Sequence, residues 1–547
     1  MMERMGRCIF RKSSGSITVF LTLVFGLIIA LITATFENIR FLTVDAYLCS
    51  AADNAAMSVF GNYNRELYQE YGLFGYGGYA GHGVSELSDE FLKALSANLQ
   101  TTPEKIKSNY NGIMRDSFGE YTSLYRLRNV EVILGNVEEV TGESMFYEQI
   151  EAYLGTQIVT DLTKKIRDSY QDISAADQGK SLQENLDMAS EYEHGDYEAP
   201  EVDAENATEA EKSSMPEASS VPSHAGGNPL ETFRELLRDG ILNLVCDASD
   251  LSPENIAGVY SQQKQDKHSQ TDNIQEKGTA ELLKSLLADQ EDLFADGILN
   301  TSPKQAKLIC YAQHVFPYYT KSGKQHFHYG LEYLISGSQQ EKDNLLKIVS
   351  RLLVLRTILN FAYVHSDAAL QAESLATATE IAGVLGLPVL VTAIQQTILL
   401  ILSVEESCVD ITALLAGKSV PIWKNASNFK MTYPEICSVN KMVFQAKAEE
   451  YSHGGKAWRE GSLDYQQYLW LLLMMTSEKS LRLRTYDLIQ DDLQTRYNAT
   501  FSLEQSVCGM QYKIQCQMPF IWTGFLMKEQ KPGMVERNFS GHYRYQS

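Results

Sequence analysis

The feature that most constrains this chain is a stretch of 24 residues, 13–36, that contains no charged side chain. About 20 apolar residues at 1.5 Å per residue span the hydrocarbon of a bilayer, and Ile17 to Phe36 supplies that length. Basic residues precede the stretch, at Arg4, Arg7, Arg11 and Lys12. By the positive-inside rule they place this N-terminal leader, the dozen or so residues before the stretch, in the cytosol and the rest of the chain outside. The sequence therefore predicts a single-pass cell-membrane protein whose bulk is extracellular.

A cleaved secretory signal is the competing interpretation of this N-terminus. Such signals have apolar regions of about 7 to 15 residues and end at a small-x-small cleavage site. The apolar run here is longer, and Thr33-Ala34-Thr35 makes a poor site of that kind. We therefore favour an uncleaved anchor.

A second uncharged stretch, Ile381 to Val404, leaves an alternative topology open. A second span there would return the C-terminal part of the chain to the cytosol. Gly383, Gly386 and Pro388 lie early in the stretch and favour two buried helices joined at a turn. We expect one span, with the second as the alternative.

Net charge excludes one class of partner. The chain carries −22 overall. The first 16 residues hold four basic side chains and one acidic, so the remainder carries −25. A surface that acidic repels nucleic acid, and we expect no nucleic-acid binding.

The eight cysteines are too few for a disulfide scaffold in a chain of this length. Cys8 lies in the leader, and Cys408 with Cys437 is one possible pair. Cys508 and Cys516 would lie on one face of a predicted strand, about 26 Å apart, and could pair only if the chain turned back between them. We expect mostly free thiols, and no spacing matches a zinc site.

The apolar helix is predicted to continue beyond the membrane. Apolar residues recur there at spacings of three and four, which is typical of one face of an amphipathic helix. This predicted packing face consists of Phe41, Val44, Leu48, Ala51 and Ala55. We expect one helix from Ser16 to about Tyr71, and a kink followed by a separate helix is the alternative.

Two regions of alternating apolar and polar residues predict strands, one around Val130 to Leu134 and one from Met510 to Met518. A lone strand leaves its backbone unpaired, so we expect these two to pair and to join the early and late parts of the chain. Between these two strands, apolar residues recur mainly at spacings of three and four, which predicts helices. The predicted fold class is α+β, mainly helical, with a pilin-like N-terminal helix and a small sheet.

Composition divides the chain further. Ten acidic residues and one lysine lie between Glu191 and Glu217, which is typical of a disordered linker or a solvated loop. The predicted segments are a leader (1–14), a transmembrane helix (15–36), its exterior extension (37–72), an α/β segment (73–190), the acidic linker (191–229), a helical region (230–497) and a C-terminal strand and tail (498–547).

The sequence contains no phosphate-binding loop, no nucleophile elbow and no zinc-helix motif. His326 and His328, with His314 nearby, make a metal site conceivable, but packing and surface roles are the interpretation we favour. We predict no catalytic, cofactor or metal residues, and therefore no enzyme and no cofactor.

The junction between leader and apolar helix also has a processing interpretation. A basic leader that ends in Gly15, followed at Ser16 by a long apolar helix, resembles type IV prepilins and pseudopilins, which are cleaved after that glycine. Those subunits carry Glu at the fifth mature position, where this chain has Phe20. An ordinary single-pass anchor with a chance glycine is the alternative.

Most of the chain, apart from the acidic linker and about the last twenty residues, resembles an uncharacterised Gram-positive family of large membrane-anchored proteins. That family is itself similar in its N-terminal helix to the minor pseudopilins of Tad (tight adherence) systems. The motifs that carry the resemblance include Gly15-Ser-Ile-Thr-Val-Phe-Leu-Thr-Leu, Glu37-Asn-Ile-Arg40, Glu332-Tyr-Leu-Ile-Ser-Gly337, Asp464-Tyr-Gln-Gln-Tyr-Leu469 and Tyr486-Asp-Leu-Ile-Gln490. The resemblance implies a structural or assembly component whose N-terminal helix contacts the membrane and other pseudopilin-like subunits. A membrane-tethered binding or adhesion protein that enters no filament is the alternative, and a surface enzyme is a third.

Overall fold

The chain separates into two units, one built from both chain ends (residues 1–149 with 497–547) and one from the middle (150–496). The predicted acidic linker at 191–229 lies outside the described residues. The computed structural model describes residues 14–79, 84–99, 103–107, 115–118, 128–155, 241–245, 251–262, 302–386, 391–438, 440–452, 461–520 and 534–545.

The first unit is built on one 47-residue helix, α1 (Ser14–Phe60). It runs from the apolar stretch into the following amphipathic stretch without interruption, because no Gly or Pro lies between residues 27 and 60. The helix ends at Phe60 rather than near Tyr71. Gly61 follows it, and the side chain of Asn64 accepts the backbone N–H of Leu67 at 2.9 Å, which caps a separate short helix.

Among the described residues, the remaining elements of the first unit are three helices and six strands. They are α2 (Arg65–Tyr71), β1 (Tyr76–Gly77), α3 (Val84–Asn98), β2 (Pro103–Lys107), β3 (Arg115–Phe118), β4 (Arg128–Glu139), α4 (Glu143–Leu154, which continues into the second unit), β7 (Ser506–Pro519) and β8 (Met534–Arg544).

These strands form an antiparallel sheet in the order β1-β7-β4-β3-β2, and β8 also pairs with β7. In the β4–β7 pair, Val132 lies opposite Ile514 and Leu134 opposite Tyr512. The predicted pairing of an early strand with a late one is therefore confirmed. It joins the two ends of the chain through main-chain hydrogen bonds.

The core of the first unit lies between α1 and one face of this sheet. Alternate residues of β7 point into it, so Met510, Ile514 and Met518 are fully buried, and Leu87 and Phe91 of α3 close it. Every second residue of β7 and the apolar stripe of α1, which repeats about every 3.6 residues, thus pack together in one apolar layer.

The second unit is mainly helical within the described residues, and two very short strands, β5 (Val420–Pro421) and β6 (Ser462–Leu463), pair with each other. Its helices are α5 (Ile241–Val245), α6 (Val259–Gln262), α7 (Pro303–Val315), α8 (Gly330–Ser336), α9 (Glu341–Ser366), α10 (Ala368–Leu385), α11 (Val391–Leu415), α12 (Lys441–Ala448), α13 (Tyr465–Met475) and α14 (Glu478–Arg496).

The second uncharged stretch, 381–404, is divided between α10 and α11. Gly386 takes a left-handed conformation (φ 68°) and caps α10, and α11 begins at Val391. Ile398 and Ile401 are fully buried among other helices. This arrangement is the two-helix interpretation rather than a second span.

Replacing a residue at the centre of the sheet tests this description of the first unit. Ile514→Ala removes three buried carbons from β7, and we expect it to lower the free energy of unfolding by about 2–5 kcal/mol. Lys513→Ala, on the opposite face of the same strand, is the control and should cost under about 1 kcal/mol. Denaturant unfolding of the detergent-solubilised chain measures both. Equal effects would contradict the assignment of faces.

Candidate functional site

The two halves of α1 have opposite surroundings, and together they form the most distinctive site in the described residues. Residues 17–36 are apolar and lie exposed almost all round, with Leu27 at 70%. The most apolar 18 residues of the helix have a mean hydropathy of 2.7 and none is buried. Among the described residues this is the one helix long and apolar enough to cross a membrane. It is compatible with a single-pass membrane anchor.

A buried ion pair marks the point where the exposed half ends. Glu37 and Arg40 are 2% and 5% exposed, and Arg40 Nη1 donates to Glu37 Oε1 at 2.5 Å. Arg40 Nη2 also donates to the carbonyl oxygen of Pro519, at 2.9 Å. The guanidinium therefore ties the helix to the end of β7 one turn after the last residue of the apolar stretch.

The second half of α1 buries the face that the sequence singled out. Phe41, Val44, Leu48, Ala51 and Ala55 are all at most 6% exposed and belong to the core of the first unit. The small side chains of the alanines let α3 approach closely. The close approach is seen at the end of α3, where the side-chain amide of Asn98 donates to the carbonyl of Ala51 at 3.0 Å. This face packs against the chain's own sheet and α3, so it is not available to another subunit.

The helix stays in register with the sheet along its whole packed length. Near its middle, Tyr512 on β7 donates its hydroxyl to Asp53 at 2.7 Å. At its C-terminal end, the ring of Phe60 stacks on Tyr543 with centroids 4.7 Å apart, and the hydroxyl of Tyr545 donates to the carbonyl of Phe60 at 2.5 Å. Together with the bond from Arg40 to Pro519, these contacts of β7, β8 and Tyr545 fix the helix at three heights.

The opposite face of this half is exposed and partly apolar. Ile39 is 53%, Leu42 69% and Met57 60% exposed. The sequence pattern predicted only the buried face, and the exposed apolar positions are visible once the contacts of the sheet are known. These residues and the apolar half are the parts of α1 open to a membrane or a partner.

The remaining predicted positions are dispersed. Gly15 and Ser16, the candidate cleavage residues, lie in the first turn of α1. The histidines contact different groups: His314 the carbonyl of Cys310, His326 the carboxylates of Asp491 and Asp492, and His328 the carboxylate of Glu341. The described residues hold no metal-binding cluster of His, Cys, Asp and Glu. Free thiols occur at Cys49, Cys310, Cys408, Cys508 and Cys516.

A second polar site, which sequence reasoning missed, lies inside the helical unit. Arg356 of α9 donates to Asp410 Oδ2 of α11 through Nε (2.9 Å) and Nη2 (2.8 Å). Lys424 donates to the other Asp410 oxygen at 2.7 Å and to Glu406 Oε1 at 2.5 Å. Backbone N–H groups also donate to Glu406, including that of Met431 at 2.7 Å. All four charged side chains are fully buried.

Opposing effects set the pKa values of the two carboxyls in this ionic network of Arg356, Asp410, Lys424 and Glu406. Burial raises the pKa of Asp410, but Arg356 and Lys424 together lower it below its usual value. The pKa of Glu406 is raised, because burial outweighs the attraction of Lys424. Each charge faces an opposite charge or a hydrogen-bond donor, so the network serves to hold α9, α11 and the loop at Lys424 together.

The signal that could have revealed the network is a polar pair four residues apart in an apolar helix. Arg356 and Asn360 interrupt the leucine stripe of α9, and Glu406 and Asp410 interrupt α11. Each pair lies on one helix face. Which faces meet is decided by tertiary packing, so the partners cannot be read from one sequence.

The ion pair at the start of the packed half of α1 is testable by a double variant. Arg40→Leu leaves Glu37 buried without its partner, and we expect a loss of about 3–5 kcal/mol in the unfolding free energy of the first unit. Glu37→Leu with Arg40→Leu removes both charges and should recover most of that loss. Denaturant unfolding in detergent gives both values. The pairing is contradicted if the double variant is as unstable as the single one.

The ionic network predicts a similar loss in the second unit. Asp410→Asn keeps the size of the side chain but leaves Arg356 and Lys424 with too little negative charge, and we expect a loss of about 3–5 kcal/mol at pH 7. Since the folded pKa of Asp410 is lowered, its contribution is present above the ordinary pKa and disappears as the pH falls through the folded value. The variant should therefore lose less stability on acidification than the native chain.

A surface pair supplies the control for that experiment. Lys430 contacts Glu450 at 3.1 Å, and the Glu450 side chain is about half exposed. Glu450→Gln should cost under about 1 kcal/mol. Thermal or denaturant unfolding between pH 3 and 7 compares the variants, and an equal cost for both would show that burial of the network contributes nothing.

Comparison with known proteins gives a match to a family model. Residues 219–518 match the model of a family of unknown function, DUF5702. No curated protein and no solved structure matches the chain. The matched region begins within the second unit and ends at the penultimate residue of β7, and so includes the ionic network and nearly all of the central strand of the sheet. Because it covers more than half of the chain, this protein belongs to the DUF5702 family.

Proposed function

We propose that this protein is a non-enzymatic, pseudopilin-like structural or assembly component of a Tad-type pilus or secretion system. It is held in the cell membrane by a single span, with its N-terminus in the cytosol and the bulk of the chain outside. The leader charges support this orientation, because all four basic residues precede the apolar stretch.

The observation that carries the proposal is the division of α1 into an exposed apolar half and a half packed on an antiparallel sheet. An assembly subunit of this kind needs a helix that lies in lipid before assembly and against other helices afterwards. Residues 17–36 are available for both, since their side chains are exposed almost throughout. The packed half carries the exterior body rigidly on the same helix.

Contacts with other subunits, on this proposal, use surfaces that the fold leaves open. The face of Phe41 to Ala55 is buried within the chain, so it takes no part. The apolar half remains, because its side chains are exposed almost throughout residues 17–36. Association through it follows the rules of helices in lipid, in which packing and small residues such as Gly26 and Ala30 bring helices together.

The non-enzymatic role is supported by how the charged groups of the helical unit are used. Arg356, Lys424, Asp410 and Glu406 are buried and bonded to one another, so they offer no reactive group to a substrate. We propose that this unit is an exterior body held rigid by internal ion pairs.

A membrane-tethered binding or adhesion protein that enters no filament is the second candidate. The specific observation in its favour is Phe20, which occupies the position where prepilins and pseudopilins carry Glu. That glutamate contributes to cleavage and registry in the proteins this chain resembles. The two candidates share the anchor and differ in processing and assembly.

Mapping the mature N-terminus in the native host separates the two candidates. The assembly proposal expects Ser16 as the first residue and expects the protein in filaments sheared from the cell surface. Gly15→Leu should abolish cleavage, whereas Gly26→Leu, in the middle of the same helix, is the matched control and should leave cleavage intact. An intact leader on the native chain, with no protein in the sheared fraction, would overturn the assembly role and favour the tether.

A further inference from the structure

We propose that the end of the sheet next to Arg40, together with Ile39 and Leu42, lies in the lipid headgroup region on the extracellular face of the cell membrane. The inference rests on the proposed membrane anchoring and adds a second contact with the bilayer beyond the span. We call these residues the membrane-proximal end: Ile39, Leu42, Pro519, Phe520 and Met534.

The exposed apolar face of α1 does not stop at Phe36. Ile39 and Leu42 follow at steps of three residues, so the three side chains lie on one side of the helix. Their exposed fractions are 58%, 53% and 69%. Glu37, on another side, is already buried at this height. One side of the helix therefore stays suited to lipid while the other has begun to pack on the sheet.

Helix length places this face at the membrane boundary. From Ile17 to Leu42 the helix rises about 38 Å at 1.5 Å per residue. The hydrocarbon takes up roughly 30 Å of this rise, and the outer headgroup layer adds roughly 5–7 Å, since the two layers together bring the total to about 40–45 Å. Ile39, at about 33 Å, therefore lies within the outer headgroup layer, and Leu42 lies at its outer edge. Met57 is also apolar and exposed, but it lies about 22 Å further along the helix, beyond the bilayer.

The sheet is fixed at the same height by direct contacts. Arg40 bonds the carbonyl of Pro519, and the ring of Phe520 meets Phe41 edge-on with centroids 5.5 Å apart. Met534 pairs with Pro519 at the start of β8 and is 45% exposed. The strands β7 and β8 thus present their membrane-proximal end beside Ile39 and Leu42.

The charges at this end indicate which lipid chemistry is needed. Arg40 is paired with Glu37, and Arg537 contacts Asp45 at 3.6 Å and lies over the ring of Phe41 at 5.1 Å. These positive charges are compensated within the chain. We therefore expect the contact to depend on burial of apolar surface, and a zwitterionic surface should suffice.

A second copy of the chain is the other conceivable occupant of Ile39 and Leu42. The bilayer is favoured because this face continues directly from the lipid-exposed side of the span. A protein partner would have to reach it at the depth of the headgroups. The experiment below treats the second copy as an outcome.

Photocrosslinking in vesicles tests the inference with the full chain. The photoreactive amino acid p-benzoylphenylalanine replaces, one at a time, Ile28 in the span, Leu42, and Met57 as the matched control on the same helix. Each variant is reconstituted into phosphatidylcholine vesicles, with and without phosphatidylglycerol, and illuminated. All three side chains are at least 45% exposed, so the fold should tolerate the substitutions.

We expect lipid adducts at positions 28 and 42, with at least about tenfold more adduct at 42 than at 57, and equal yields in both lipid mixtures. Adduct at 28 but none at 42 would overturn the inference and leave the anchor intact. A protein dimer at 42 in place of lipid adduct would also overturn it. Absence of adduct at 28 would refute membrane anchoring itself, and the inference with it.

Discussion

The packing of one half of α1 on the β7–β8 sheet is the interaction on which the first unit depends. The sheet pairs a strand near residue 132 with one near residue 514, and α1 covers the face that both expose. Contacts at Arg40, Asp53 and Phe60 hold the packed half of the helix at its start, middle and end. Because one rigid helix carries both surfaces, the apolar half has a fixed direction relative to the body of this unit.

Buried ion pairs mark the critical positions in both units. Glu37 and Arg40 lie where α1 begins to pack, and Arg356, Asp410, Lys424 and Glu406 join elements of the helical unit. Burying a charge costs several kcal/mol unless a partner and further hydrogen bonds compensate it. An arrangement of this kind therefore disfavours alternative packings, in which the same charges would be left unpaired.

The sequence predicted a large part of the fold because the relevant signals are local. The uncharged stretch, the absence of Gly and Pro, and the period of 3.6 from Phe41 to Ala55 together indicate the long helix, and alternation from Met510 to Met518 indicates β7. The end of α1 was placed too late, because a few polar residues and one Gly do not show which turn the chain takes. Asn64 decides it by capping a new helix.

The sequence by itself determined that a membrane-length apolar helix starts this chain and continues as an amphipathic one, since both properties follow from residue type and spacing. Only the tertiary structure decided what the amphipathic face meets. The stripe at Phe41, Ala51 and Ala55 packs inside the chain, against β7, β8 and α3, so it is not exposed for contact with another protein. It also decided that Arg356 meets Asp410 across 54 residues of sequence, because long-range partners are selected by packing and not by any local pattern.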